Sequence, residues 1–397
     1  MAVKKIQGLS GIDNRQEDAA LEVGGKTPSL HVRDAVNIDF TETGRIRMRD
    51  GIQHLSDTAF KFLWQSSLHG DCFAALAGDW VKVNPNTWDY EVLISGVAHG
   101  PIYHQVLNNR VVMCAEHGLY LHDGQAAYSL CLETPASPMA YFSDNGSILS
   151  VDYSLAISWL CNGQESALSE SFKIRCAGKQ AFNISLPLCL NQDVSHVRLY
   201  MTEQNGGELR QVDDYPISEL SIHLSSMPNL GKSATYQHLS PMRSGCYLKL
   251  WRGRLITVQR NVLYFSEPMA FHLTDERYNF VQFPQRITFI EPVDGGIWVG
   301  QVDHVVFLRG VDLNSLTQEL KPAARPIEGS SSMLKSDMIS SEISQGSDTA
   351  IWLAENGYNI GTSQGQIVEI QSSHLNNICG KSAQLVGFGE KVIAVVN

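Results

Sequence analysis

The sequence predicts an all-β protein: a β-propeller of six or seven blades with an inserted fibronectin type III-like β-sandwich. Three observations predict it. Apolar runs are short and divided by dense turn signals, while long amphipathic helical patterns are nearly absent. A strand–turn–strand pattern recurs at a spacing of about 40 residues, the length of a four-stranded propeller blade. One stretch of the chain interrupts that spacing with a different strand pattern.

The elements follow in chain order. Residues 14–23 hold the one helical candidate, and it is brief. Residues 35–40, a turn at Thr43-Gly44 and residues 45–49 read as a hairpin. Residues 383–396 read as another, and pairing the two would close a ring and hide its sheet edges. Arg45, Arg47 and Arg49 alternate onto one strand face, toward an acidic neighbour, a phosphate or solvent. Elsewhere Asn145-Gly146, Asn162-Gly163, Asn205-Gly206, Asp123-Gly124, His117-Gly118 and Asn356-Gly357 supply the positive-φ positions of tight hairpins.

The repeat is clearest in Ala115-Glu116-His117-Gly118-Leu119-Tyr120 and Ala354-Glu355-Asn356-Gly357-Tyr358-Asn359. Looser copies lie at Leu76-Ala77-Gly78-Asp79-Trp80-Val81, Gln259-Arg260-Asn261-Val262-Leu263-Tyr264 and Gln301-Val302-Asp303-His304-Val305-Val306. The interval from Trp80 to Leu119 is 39 residues, that from Leu263 to Val305 is 42, and that from Val305 to Tyr358 is 53; an irregular array of β-sandwiches is the alternative reading. From Leu119 to Leu263 the interval is 144, too long for one blade. In that gap residues 153–160 alternate as a strand, and residues 194–202, the turn Asn205-Gly206-Gly207 and residues 209–212 continue a sandwich pattern. The predicted organisation is therefore propeller over 1–152, sandwich over 153–228, and propeller again over 229–397. Insertion at a loop tip is tolerated because few core contacts cross there. Residues 321–346, polar and rich in serine, read as a long loop between blades.

Charge and composition narrow the function. Thirty Lys and Arg stand against 41 Asp and Glu, a formal charge of −11. Tight binding to nucleic acid needs the opposite sign, because phosphate neutralisation supplies most of that affinity. Hydrophobic residues make up 43% of the chain, enough for a large core and incompatible with a disordered protein. Residues 1–11 carry no apolar run of signal-peptide kind, and no stretch is long and apolar enough for a transmembrane helix. The eight cysteines (Cys72, Cys114, Cys131, Cys161, Cys176, Cys189, Cys246, Cys379) include no C-x-x-C pair. They read as small buried hydrophobes of a reducing compartment.

The candidate chemistry reads as structure. Gly361-Thr362-Ser363-Gln364-Gly365 matches the G-x-S-x-G nucleophile elbow, which needs a strand-to-helix turn; strand-like residues on both sides predict a hairpin instead. His99 with His104, and His117 with His122, lack the helical spacing that puts two imidazoles on one face. Asp213-Asp214 and Asp275-Glu276 read as solvated turns, since neighbouring strand residues face opposite ways. Trp64, Trp80, Trp88, Trp251, Trp298 and Trp352 read as core rather than sugar-stacking platforms. No residue is assigned a catalytic, cofactor-binding or metal-ligating role, and no cofactor is expected.

Several segments resemble a known family. Gly11-Ile12-Asp13-Asn14, then residues 30–39, Gly44-Arg45-Ile46-Arg47 and Arg49-Asp50-Gly51 are similar to the opening of bacteriophage tail proteins of the nozzle or hub type, relatives of the packaged-DNA stabilisation proteins of short-tailed phages. In that pattern Asp50 stands where proline is usual, and His31 intrudes in the Leu-Arg step. Trp251-Arg252-Gly253-Arg254-Leu255 with residues 263–268 resembles a later step. So do residues 296–300 and 306–310, and, within the sandwich, residues 163–169 and Arg198-Leu199-Tyr200.

The resemblance implies a virion structural protein in the tail, made in the host cytoplasm. It would sit in a ring with copies of itself, typically six, beside an adaptor or tail tube and fibres. Genome DNA would be retained and then pass during ejection without specific binding, and an acidic wall suits that passage. A receptor- or glycan-binding propeller at the tail tip or baseplate, touching the host surface, is the alternative expectation. A propeller glycosidase is a third, and it needs two converging carboxylates.

Overall fold

The computed structural model describes residues 9–17, 21–23, 29–41, 43–49, 51, 53–67, 70–176, 178–388 and 391–397. The chain is nearly all β and is built from many small antiparallel sheets. Five of these have four strands each, joined in simple meander order among the described residues. Sheet A comprises Lys61–Gln65, Cys72–Leu76, Asp79–Val83 and Tyr90–Ile94. Sheet B comprises Tyr103–Leu107, Arg110–Ala115, Gly118–His122 and Ala127–Ser129. Sheet C comprises Cys246–Trp251, Arg254–Gln259, Val262–Phe265 and Phe280–Gln282. Sheet D runs from Ile287–Val293 through Gly296–Gln301 and Val305–Arg309 to Thr317–Lys321, and sheet E from Pro326–Leu334 through Thr349–Ala354 and Gly357–Gly361 to Ile367–Glu369.

The five sequence repeats fall at the same place in all five sheets. Each copy spans the turn between the second and third strands. Four two-residue hairpin loops take positive φ at both positions, as the twist of a tight hairpin demands: Ala77-Gly78, Asn108-Asn109, Asn162-Gly163 and Arg252-Gly253. His117-Gly118, expected to do the same, has positive φ at neither position, and Gly118 is the first residue of the strand Gly118–His122. Asn145-Gly146 behaves otherwise. It lies inside the strand Met139–Ile148, at a bulge where the register to Gln180–Ser185 shifts. A Cβ on Gly146 would stand 2.1 Å from the Gln180 backbone, so the close approach, not a turn, requires glycine.

By contact the chain divides into two compact units. One holds residues 60–259 and 263–281; the other holds 1–59, 260–262 and 282–397. In the first, sheets A, B and C pack through successive cores. Phe73, Trp80 and Ala75 of A meet Val111, Met113 and Ala115 of B. The opposite residues of B, Val112, Cys114 and Leu121, meet Leu248 and Leu255 of C. His104 lies buried in the A–B core, stacked on Trp64 at 5.1 Å, and its Nε2 accepts the Trp80 Nε1–H at 3.1 Å. Burial pushes its imidazole down to about 3.

The same unit contains two packed sheets between B and C. One takes Met139–Ile148, Gln180–Ser185 and Ser221–Leu224; the other centres on Asp152–Cys161, flanked by Gln164–Glu165, Phe172–Arg175, His196–Thr202 and Leu209–Pro216. Alternate residues Tyr153, Leu155, Ile157 and Trp159 face Phe182, Ile184 and Ile222 across the core. Met139–Ile148 lies ahead of the boundary expected at 153, because its outward residues Met139 and Tyr141 are as apolar as the inward Ala140 and Phe142 and hide the alternation of a half-buried strand.

In the second unit sheets D and E bury an aromatic cluster. Trp352 lies 5.3 Å from Phe289 and 5.5 Å from Trp298, which lies 4.7 Å from Phe307. The residues expected as a loop at 321–346 form the strand Pro326–Leu334, followed by one short helical turn at Ser341–Ser344. Ser330 is buried there; its hydroxyl donates to the Ile327 carbonyl at 2.6 Å and accepts the Leu353 amide at 3.1 Å. A serine satisfied in this way occupies a core strand without betraying it in the sequence.

The terminal hairpins exist, Ile38–Phe40 with Ile46–Met48 and Ala383–Phe388 with Lys391–Val396. Among the described residues no ladder joins them; each is its own two-stranded sheet. Asp39 links them instead, accepting Arg49 Nε at 2.9 Å and Lys391 Nζ at 3.0 Å. The C-terminal hairpin covers sheet E, placing Leu385 and Val392 on Leu334, Ile351 and Ile360. The helix expected over 14–23 is absent from the described part, where Glu22–Val23 is a short strand; residues 18–20, like 1–8 and Asp50, lie outside the described residues.

His104 sets a pH dependence. Its folded pKa lies below the unfolded value of 6.5, so the neutral folded form contributes stability above 6.5, and that stability is lost as pH falls toward about 3. Denaturant titrations between pH 7 and 4.5 should show this loss, with His104→Gln, which keeps an acceptor for Trp80, sloping less by up to about 1.4 kcal/mol per pH unit. Parallel profiles for the two proteins would refute the assignment.

Candidate functional site

A cleft of about 800 Å³ lies within the first unit, beside the outer face of the five-stranded sheet. Pairing geometry builds its floor. Ser158, Arg198 and Asp214 stand directly opposite one another on three adjacent strands, so their side chains share a face. The hairpin turn Asn162-Gly163 folds Glu165 back beside them.

Arg198 is the hub. Its Nε and Nη2 donate to the two Asp214 oxygens at 2.6 and 2.8 Å, and its Nη1 donates to Glu165 Oε2 at 2.9 Å. Glu165 Oε1 accepts the hydroxyls of Ser158, at 2.7 Å, and Tyr200. The Arg198 guanidinium holds the Asp214 carboxyl below the usual carboxylate range, and burial, with Glu165 beside it, pushes the Tyr200 phenol up. The network reaches beyond the sheet: His272 Nε2 meets the Glu165 carbonyl at 2.9 Å, and Gln164 Nε2 donates to the Leu130 carbonyl at 2.6 Å. Burial lowers the His272 imidazole.

This arrangement is a joint more than a reactive centre. An anionic ligand needs a guanidinium whose charge is unmatched, and Arg198 already faces two fixed carboxylates that take three of its five donors. A glycosidic general acid needs a carboxyl held protonated, and Asp214 is pulled the opposite way. Two acids do converge here, but they converge on an arginine.

The other sequence-selected residues disperse. Asp275 and Glu276 pair with different arginines, Arg277 and Arg243. Asp214 departs from the solvated turn expected for it, since the strand continues through it to Pro216. Gly361 to Gly365 form the hairpin turn between Gly357–Gly361 and Ile367–Glu369, with Ser363 buried and a strand following. His104 and His122 are buried, while His117 is exposed. Trp80, Trp298 and Trp352 are core residues, and Trp251 is also buried. All eight cysteines are free thiols; Cys246 and Cys379 are exposed, unlike the buried positions expected, because each lies at the end of a strand or in a loop.

No protein-family model matches the sequence, and no curated protein matches it. Solved structures give distant likenesses. A chain of the mitotic checkpoint complex is 11% identical over 91% of this chain and 93% of its own, with a TM-score of 0.33. The WD40 domain of SCAP from fission yeast is 8% identical over 86% and 72%, TM-score 0.27. The N-terminal domain of Nup159 is 9% identical over 90% and 75%, TM-score 0.27. Likenesses this distant carry no argument about function. No helix among the described residues is long and apolar enough to cross a membrane.

The joint has a measurable strength. Arg198→Leu strands two carboxylates in a half-buried site and should cost about 2–4 kcal/mol in denaturant unfolding. The double variant with Asp214→Leu should recover part of that loss. A loss under about 0.5 kcal/mol for the single change would show the network to be surface decoration.

Proposed function

We propose that the chain is a structural protein of a phage tail, a propeller whose sandwich is inserted between its second and third blades. The observation that carries this reading is the order of parts. Two four-stranded sheets precede the sandwich and three follow it, and the resembling motifs fall in order on the opening segment, the sandwich, sheet C and sheet D. We read the propeller as six-bladed, its sixth blade shared by the two terminal hairpins that Asp39 connects. The sandwich is of fibronectin type III kind in its layering, although its three-stranded sheet takes an edge strand, Ser221–Leu224, from the end of the segment.

The proposed role is mechanical. Copies of the chain, six by the resemblance, form a ring around the channel through which the genome leaves, between adaptor or tail tube and fibres. A charge of −11 per chain suits a wall that DNA passes without adhering. Retention then depends on closure of the channel, not on affinity for phosphates. The Arg198 network suits a load-bearing joint that fixes the sandwich relative to the sheets beside it.

A second reading, a receptor- or glycan-binding tail protein, is favoured by the cleft itself, where Tyr128, Tyr236 and the amides of Asn162 and Gln164 offer stacking and hydrogen-bonding partners. Quantitative mass spectrometry of purified particles of the parent phage separates these from an unrelated role. The ring reading expects the chain in every particle at about six copies. Its absence from particles would overturn both virion readings, and a copy number matching that of the fibres would favour receptor binding.

A further inference from the structure

We propose that Asp13, His31 and His374 form a binding site for one divalent transition-metal ion of the zinc type, which fastens the N-terminal segment of the second unit to its C-terminal segment.

The donors converge from three places. Asp13 follows the strand Leu9–Ile12, His31 lies in the parallel neighbour Ser29–Val32, and His374 lies in the turn after sheet E. Their ligating atoms all lie within 4.8 Å of one another. Asp13 Oδ2 is 3.0 Å from His374 Nδ1, and the two imidazoles stack at 4.5 Å with planes 20° apart. Around a tetrahedral zinc, with bonds of about 2.0–2.2 Å, donors stand roughly 3.3 Å apart. Side-chain rotation of His31 covers the remaining gap.

The surroundings hold the ligands as a metal site requires. Asp13 is 1% exposed, and its Oδ1 is occupied by the backbone amides of Arg15 and Gln16 at 3.0 and 3.1 Å, which leaves Oδ2 directed at the histidines. The Asp13 amide donates to the Val32 carbonyl at 2.8 Å, and the Asn14 amide to the His374 carbonyl at 3.0 Å. Asn14 and Asn376 exchange two further hydrogen bonds, each 2.9 Å. One imidazole suffices to pair the carboxylate; the second brings another nitrogen donor to the same point. The His374 side chain is 38% exposed, which gives an ion a way in and leaves a fourth position for water.

On binding, the ion takes the place of the proton between Nδ1 and Oδ2. The Nδ1 lone pair and the carboxylate oxygen become ligands, and the ring proton resides on Nε2. Two imidazoles and one carboxylate are intermediate donors that suit zinc, cobalt or nickel better than calcium or magnesium.

The test uses the full chain, stripped with chelator and titrated with cobalt chloride, then with zinc chloride. One equivalent of cobalt should give the visible absorption of a low-symmetry nitrogen and oxygen site without a thiolate charge-transfer band, and zinc should displace it. Zinc should raise Tm by a few degrees in the wild type. His374→Gln, which still donates to Asp13, and His31→Gln should each weaken cobalt binding at least tenfold and abolish the zinc-dependent Tm shift. Unchanged binding in both variants, a thiolate band, or no stoichiometric binding would each overturn the site, leaving a hydrogen-bonded clasp.

Discussion

Each four-stranded sheet in this chain has to bury both of its faces. That constraint shapes the composition of the central strands. Thr349–Ala354 is buried at all six positions, and so is Gly296–Gln301. Such strands cannot alternate apolar with polar, because neither side meets water. They are nearly continuous apolar runs, with Thr349 and Gln301 standing at the strand ends. Aromatic rings fill the space between sheets, from the Phe73–Trp80–His104 group to the cluster of Trp298, Trp352, Phe289 and Phe307. The last sheet in the chain meets the same demand with the C-terminal hairpin, which serves as its cover.

The sandwich carries a polar network on its exterior. Its strand Asp152–Cys161 turns Tyr153, Leu155, Ile157 and Trp159 to one core; on the other face Ala156 joins Leu168, Tyr200 and Leu209 in a second apolar cluster, and Ser158 joins Arg198 and Asp214. Buried ionic networks are poor sources of net stability but are sensitive to the loss of any one member. A network of this kind fixes geometry. It ties the sandwich to the His272 and Leu130 segments through hydrogen bonds that no apolar contact would orient so narrowly.

Much of the fold was legible because hairpin chemistry is local. A glycine or asparagine turn between two apolar runs declares itself within six residues, and all five copies marked the same inner turn. The strand at Pro326–Leu334 was not legible, because Gly329 and three serines imitate a linker. Nor was Met139–Ile148, whose bulge at Asn145-Gly146 resembles a turn. The joint was half visible: Glu165 and Arg198 both belong to segments singled out for their resemblance, yet nothing in their spacing says that the side chains meet. The Asp13–His31–His374 cluster was invisible, since Asp13 and His374 stand 361 residues apart and only the folded chain brings them together.

The proposed function would make the chain a component of an assembled particle. Gold-labelled antibody against it, applied to intact particles of the parent phage and viewed by electron microscopy, tests that claim most directly. Label in a ring at the distal end of the tail axis is the expected result. Label confined to lateral appendages would contradict a channel role, and particles without label would contradict the structural account altogether.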